Sequence, residues 1–66
     1  MIEKGEVVFW NERGFGFIRR DADGENVFIH RSDLRDASYL REGDHVEFEA
    51  RMAERGRRAD YARLVS

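Results

Sequence analysis

Short runs of alternating apolar and polar residues constrain the fold of this chain more than any other feature. The clearest run lies at 45–50, where Val46 and Phe48 share one side and Glu47 and Glu49 share the other. Because successive side chains of a strand point to opposite faces, this pattern predicts a strand. Four further runs predict strands, at 5–10, 14–20, 26–30 and 59–65. The last of them is also compatible with a short helix. Five short strands indicate an all-β barrel or sandwich.

Length and composition exclude several classes of protein. A chain of 66 residues forms one domain, which we assign to residues 1–66, and it cannot build a deep pocket beside an independent core. The absence of cysteine excludes disulfides and thiolate metal sites and is typical of a reducing cytoplasm. No apolar run has the length of a membrane span, and no signal-peptide pattern opens the sequence. We therefore expect a cytoplasmic protein that does not associate with membranes.

The charged residues are balanced in sign but unusual in type. Twelve basic residues stand against fourteen acidic ones, and the net charge is −2. This balance argues against a strongly basic domain that binds phosphates over its whole surface. Eleven of the basic residues are arginine, whose guanidinium stacks on flat π surfaces and binds phosphates with two donors. An ordinary solvated surface would explain the same balance equally well.

The predicted strands can form a core without most of their phenylalanines. We place eight residues inside: Val7, Ile18, Val27, Ile29, Val46, Phe48, Tyr61 and Leu64. If Ile18 points inward, alternation turns Phe15 and Phe17 outward, and it does the same for Phe28 and His30 on the next strand. The Asp-Gly turn signal between these two strands predicts that they pair as a hairpin. The pairing would gather the rings on one outer face.

A cluster of exposed rings beside arginines suits single-stranded nucleic acid. Monomeric proteins normally avoid large exposed apolar patches. Bases stack on aromatic side chains with little sequence preference, and each contact is worth about 1–3 kcal/mol. Gly14 and Gly16, which precede the two rings of the second strand, would leave those rings unobstructed and let a base lie flat. The sequence thus predicts a stacking platform for bases.

Three segments together resemble bacterial-type cold-shock domains. "GEVVFWNERGFGFI" and "NVFIH" contain runs similar to the first and second ribonucleoprotein motifs of that family, and "LREGDHVEFEA" is similar to its approach to the fourth strand. The resemblance covers nearly the whole chain in order. RNA-recognition motifs carry a run like "GFGFI" too, but they need two helices and a longer chain. The resemblance implies a five-stranded antiparallel Greek-key barrel of the oligonucleotide-binding (OB) type.

The same resemblance implies a function. It implies binding of single-stranded RNA and DNA with low sequence preference, and action as an RNA chaperone that prevents or melts RNA secondary structure. We expect no metal and no cofactor. The residues at the family's stacking positions are Phe15, Phe17, Phe28 and His30. The family's tryptophan–phenylalanine pair of strand one is swapped here, as Phe9 and Trp10. Because strict alternation exposes only one of the two, we favour Trp10.

Contacts outside the central rings are expected as well. Four basic residues are expected to contact the nucleic-acid backbone: Lys4, Arg13, Arg31 and Arg58. Tyr39 takes the place of an aromatic residue in the long loop. Glu6 and Val8 stand where the family usually has lysines, and Arg31 stands where it often has an aromatic residue. With two cations fewer, we expect binding to depend less on salt.

Two other classes of function were weighed against nucleic-acid binding. His30, Ser32 and Asp33 lie close in sequence, but a catalytic triad also needs an oriented base and an oxyanion site. Two histidines without cysteine are too few for a zinc site, so we expect a protein that is not an enzyme. The alternative is a small barrel that binds a protein partner through the same aromatic face. We expect a monomer, although strand exchange between two copies remains compatible with the sequence.

Overall fold

The computed structural model describes residues 1–65, and Ser66, the last residue of the predicted domain, lies outside the described part. The described chain folds into five strands: β1 (Ile2–Asn11), β2 (Phe15–Arg20), β3 (Asn26–His30), β4 (His45–Ala53) and β5 (Gly56–Val65). A single 3₁₀ turn, Arg31–Asp33, follows β3. The all-β prediction is confirmed, and the last apolar run is a strand rather than a helix. Within residues 1–65, no helix is long and apolar enough to cross a membrane.

The strands close into a barrel in the order β1-β2-β3-β5-β4. Strands β2 and β3 pair as the predicted hairpin, with Phe15 opposite His30 and Phe17 opposite Phe28. Strand β1 pairs antiparallel with both β2 and β4, and β4 pairs antiparallel with β5. The closing pair, β3 with β5, is parallel and joins Phe28 to Arg58. Closure through this pair brings the start of β5 and the β4–β5 turn beside the hairpin.

The core confirms six of the eight residues placed inside by alternation. Its nine buried members are Val7, Ile18, Val27, Ile29, Leu40, Val46, Phe48, Ala59 and Ala62. The prediction was wrong for Tyr61 and Leu64, which are 56% and 40% exposed. Strand β5 carries one extra residue opposite Glu47–Glu49, and Tyr61 adopts a left-handed backbone with φ of 54°. This bulge reverses the alternation between Ala59 and Ala62, which both face inward, and so turns Tyr61 outward. Leu64 lies opposite buried Val46 near the end of β5 and is exposed although the bulge does not turn it outward.

A second bulge, in β1, determines which residues of that strand lie on the outer face of the barrel. Val7 lies opposite Ile18, but Phe9 lies opposite Phe17, so β1 carries one extra residue at this point. Without the bulge, Val7 and Phe9 would share a face. With it, Val7 is buried in the core and Phe9 is exposed. Trp10 then lies opposite Gly16.

Candidate nucleic-acid interface

Four phenylalanines from three adjacent strands form a continuous ring cluster on the outer face of the barrel. We call Phe9, Phe15, Phe17 and Phe28 the phenylalanine platform. Phe15 and Phe28 stack at 6.2 Å between centroids with planes 24° apart, and Phe17 meets Phe28 edge-on at 5.9 Å. Phe9 lies 6.5 Å from both Phe15 and Phe17. These separations are those of aromatic pairs in contact, so the four rings hold one another in place.

The structure corrects the choice made between Phe9 and Trp10. Phe9 is 40% exposed and belongs to the platform, whereas Trp10 is half-buried and packs against the core. Strict alternation failed here because of the β1 bulge, which shifts every later residue of the strand to the other face. The more exposed ring of strand one is therefore that of Phe9.

The structure also corrects the role given to Gly14 and Gly16. Both are buried, and neither serves to expose a neighbouring ring. A side chain at Gly16 would overlap the backbone of Phe9 and lie 3.0 Å from the Trp10 indole. At Gly14, which has φ of 97°, it would meet the Arg31 side chain at 2.6 Å. The two glycines thus allow β1 and Arg31 to approach β2 closely, and this packing positions the rings.

His30 extends the platform at the Phe15 end. It lies opposite Phe15 in the β2–β3 hairpin and is half-buried. Its Nδ1 accepts a hydrogen bond from the Ser32 backbone N–H at 3.1 Å and lies 2.9 Å from the Ser32 hydroxyl. These contacts anchor one edge of the imidazole at the start of the 3₁₀ turn.

Two arginines stand at this same end of the platform. The Arg31 N–H donates to the Gly14 carbonyl at 2.8 Å, which holds the start of the 3₁₀ turn against the β1–β2 turn. In that turn the Arg13 N–H donates to Asn11 Oδ1 at 2.8 Å. Both side chains are exposed, and within residues 1–65 neither forms a salt bridge. Their positive charges are thus available to a ligand.

The opposite end of the platform opens into a groove of about 550 Å³. Phe17 and Phe28 form one side of it, and the β4–β5 turn, residues 53–58, forms the other. Arg58 lies over the Phe28 ring, with its Cζ 5.5 Å from the centroid. Arg55 also lines the groove, and the sequence analysis did not single it out. The arginine-rich turn "ERGRR" was the available signal, but only the β3–β5 pairing shows that it faces the rings.

Two predicted contact residues lie apart from the platform. Lys4 is opposite Glu47 on the β1–β4 side and five residues before Phe9, or about 16 Å along the strand. Tyr39 is 55% exposed, and its hydroxyl accepts a 3.4 Å hydrogen bond from Arg41. It lines a separate depression of the surface rather than the groove. Any contact from these two residues would need a ligand that extends beyond the rings.

The structure does not assemble a catalytic triad from His30, Ser32 and Asp33. His30 contacts Ser32, but Asp33 pairs with Arg58 at 3.1 Å instead of orienting the imidazole. Among residues 1–65 there is also no group of three histidine or carboxylate side chains placed to hold a metal ion. The arrangement offers flat rings, directed donors and a few cations, which are the elements that bind a base and its phosphate.

Fold and surface together define the class: a small barrel of the oligonucleotide-binding type with an aromatic outer face. The family model of the 'Cold-shock' DNA-binding domain matches residues 3–64. The chain therefore belongs to the cold-shock domain family, a family of nucleic-acid-binding domains.

Individual relatives are similar over most of the chain. Cold shock-like protein CspA of Stigmatella aurantiaca is 39% identical over 92% of this chain and 94% of its own length. Cold shock-like protein CspC of Bacillus cereus is 44% identical over 85% of this chain and 89% of its own. Glycine-rich protein 2 of Nicotiana sylvestris is 44% identical over 82% of this chain, but the match spans only 27% of that longer protein.

The fold also matches a solved structure. The structure of drosophila Unr CSD456 aligns with all of this chain at a TM-score of 0.84 and 27% identity. The alignment spans 27% of that longer chain. The barrel is therefore similar to one that also occurs within a larger protein.

Proposed function

We propose that this protein binds single-stranded RNA and DNA by stacking bases on the phenylalanine platform. The observation that carries the proposal is the contact of four outward-facing rings across three adjacent strands. A monomer gains nothing from holding so many rings on its surface, whereas successive unpaired bases can stack on them. The platform lies within one chain, so a single barrel is the binding unit.

Stacking rather than charge supplies most of the affinity in this proposal. The net charge is −2, and the cations at the platform without carboxylate partners are few. If Arg13 and Arg31 each contact one phosphate, the slope of log K against log salt is about −1.4 for a single strand. This is a shallow dependence for a nucleic-acid-binding protein.

Preference for the unpaired strand would make the protein an RNA chaperone. The rings need the faces of bases, and a duplex hides those faces within its own stack. A protein that binds only the open strand shifts the pairing equilibrium by RT ln(1 + [protein]/Kd) for each site. The shift needs neither ATP nor a catalytic group. A hairpin labelled with a fluorophore and a quencher should therefore open at a lower temperature as protein is added.

The direct test is a fluorescence-anisotropy titration of labelled oligo-dT and oligo-U, with a duplex of equal length for comparison. We expect saturable binding of both single strands and much weaker binding of the duplex. Phe15→Ala and Phe28→Ala should each weaken binding by about 5- to 100-fold. Tyr61→Asn is the matched control, because Tyr61 is an exposed ring that contacts Arg35 at 4.4 Å. Equal losses in all three folded variants, or no binding by the parent, would contradict the proposal.

A further inference from the structure

Arg58 is held in place by an acidic residue beside the platform. Its Nε and Nη2 donate to Asp33 Oδ2 at 3.3 and 3.1 Å. The Arg58 side chain is 31% exposed and that of Asp33 22% exposed, so water screens the pair only in part. Asp33 closes the 3₁₀ turn directly after β3, and Arg58 pairs with Phe28 across the β3–β5 contact. The backbone thus fixes both partners next to Phe28 in the fold.

This ion pair makes the Arg58 guanidinium a poor binding partner for a phosphate. Charge that Asp33 balances is poorly placed to attract a phosphate, because the phosphate would also meet the carboxylate. The neighbouring Arg57 is balanced in the same way, with its Nη1 3.5 Å from Glu25 and 3.9 Å from Asp23. A phosphate at this end of the platform would therefore approach three carboxylates.

The flat surface of Arg58 stays available beside the rings. Its Cζ is 5.5 Å from the Phe28 centroid, within the range of a cation–π contact. Two of its five N–H donors are directed to Asp33, which leaves three for the edge of a base. Arg58 also lines the groove next to Phe17 and Phe28. The planar guanidinium of Arg58 thus lies at the end of the row of rings as one more flat surface.

We infer that Asp33 positions Arg58 over Phe28 so that its guanidinium contacts a base rather than a phosphate. The inference rests on the proposed function and assigns roles within that site. It replaces the sequence-based prediction that Arg58 binds the nucleic-acid backbone. The platform then has two different ends: one with Arg13 and Arg31, where the phosphates are neutralised, and one at the groove, where Arg58 extends the stacking surface. Of the three arginines that line the groove, Arg57 and Arg58 pair with carboxylates, and only Arg55 forms no salt bridge within residues 1–65.

The salt dependence of binding separates the two roles of Arg58. The Kd of labelled oligo-dT is measured over a series of salt concentrations for the parent, Arg58→Gln, Arg58→Lys and Asp33→Asn. Arg13→Gln serves as the reference for loss of one phosphate contact, which reduces the slope of log K against log salt by about 0.7. Circular dichroism establishes that each variant is folded.

A base-contacting Arg58 predicts that Gln and Lys are equally poor replacements. Each should weaken binding by roughly 3- to 10-fold at every salt concentration with the slope unchanged, because neither replacement carries the broad planar guanidinium. Asp33→Asn should make the slope steeper by about 0.7, since the released guanidinium can then reach a phosphate.

The opposite results would overturn the inference. If Arg58→Gln reduces the slope as Arg13→Gln does, and Arg58→Lys binds like the parent, Arg58 is a phosphate contact. An unchanged slope for Asp33→Asn would overturn the positioning role of the carboxylate. Both results leave the proposed function intact, provided that Phe28→Ala still abolishes most of the binding. A parent protein that binds no oligonucleotide would instead overturn the proposed function, and this inference with it.

Discussion

Replacing Gly16 by alanine should destabilise this protein, although the same substitution usually stabilises a strand. Alanine normally stabilises a strand by about 0.5–1 kcal/mol relative to glycine, because it restricts the unfolded chain. Here the added methyl group would overlap the Phe9 carbonyl oxygen and lie 3.1 Å from the carbonyl carbon. Its third neighbour, Cε3 of Trp10, is 3.0 Å away. Two of these three obstacles are backbone atoms, so no side-chain rotation relieves the overlap.

The free-energy cost of this overlap can be estimated from overpacked protein cores. Extra methyl groups in packed interiors cost about 1–3 kcal/mol, and a backbone obstacle belongs at the upper end. After the usual gain from alanine, we expect Gly16→Ala to lose about 2–2.5 kcal/mol of unfolding free energy. For a domain of this size, each kcal/mol lowers Tm by about 4–8 °C. The midpoint should therefore fall by roughly 8–20 °C.

Differential scanning calorimetry measures this shift directly. Gly24→Ala is the matched control: it has open space around it, with no atom within 4 Å, but a left-handed backbone with φ of 74°. It should lose only about 1 kcal/mol, from backbone strain alone. If Gly16→Ala melts at or above the parent temperature, the close approach of β1 to β2 at this residue is wrong. The account of how Phe9 reaches the platform would then fail as well.

Two further substitutions test the packing around the platform. Phe9→Ala should weaken oligo-dT binding by about 5- to 50-fold in an anisotropy titration and change the free energy of unfolding little. Trp10→Ala should do the reverse and cost about 2–3 kcal/mol in urea unfolding, because Trp10 packs against the core. A larger binding loss for the folded Trp10 variant would restore the sequence-based choice. Glu3→Gln should cost about 1 kcal/mol in the same urea assay, because the largely buried Arg20 loses its 2.9 Å ion-pair partner and keeps Asp23 at 3.5 Å. Unchanged stability would show that this pair contributes nothing.

The strands were predictable because the alternation of apolar and polar residues indicates which side chains are buried. Val46 and Phe48 are buried as expected, and the outward-facing pairs on β2 and β3 follow from burying Ile18. The hairpin between β2 and β3 was predictable as well, because the turn sequence and the alternation on either side agree. These are local patterns, and each is readable within about ten residues.

The two errors about Trp10 and Tyr61 share one physical cause, the β-bulge. One extra residue in β1 moves Phe9 rather than Trp10 to the outer face, and one in β5 turns Tyr61 outward. A bulge is a feature of pairing between strands, so a single strand read by itself does not reveal it. A similar limit applies to Leu40, which completes the core from an irregular connection without any alternation.

The pairing of Arg58 with Asp33 was out of reach for the same reason. The two residues are 25 positions apart, and only closure of the barrel through β3 and β5 brings them together. Both are ordinary charged residues in polar segments of the sequence. Their interaction becomes visible only in the folded chain.

The central claim, that bases stack on the phenylalanine platform, is tested most directly by removing the bases from the ligand. An anisotropy competition would compare oligo-dT with an abasic oligonucleotide of equal length, which keeps every phosphate and sugar. The account predicts that the abasic strand competes at least 100-fold more weakly, because stacking contributes about 1–3 kcal/mol for each base. Competition within about threefold of oligo-dT would show that the protein binds the backbone, and it would contradict the account.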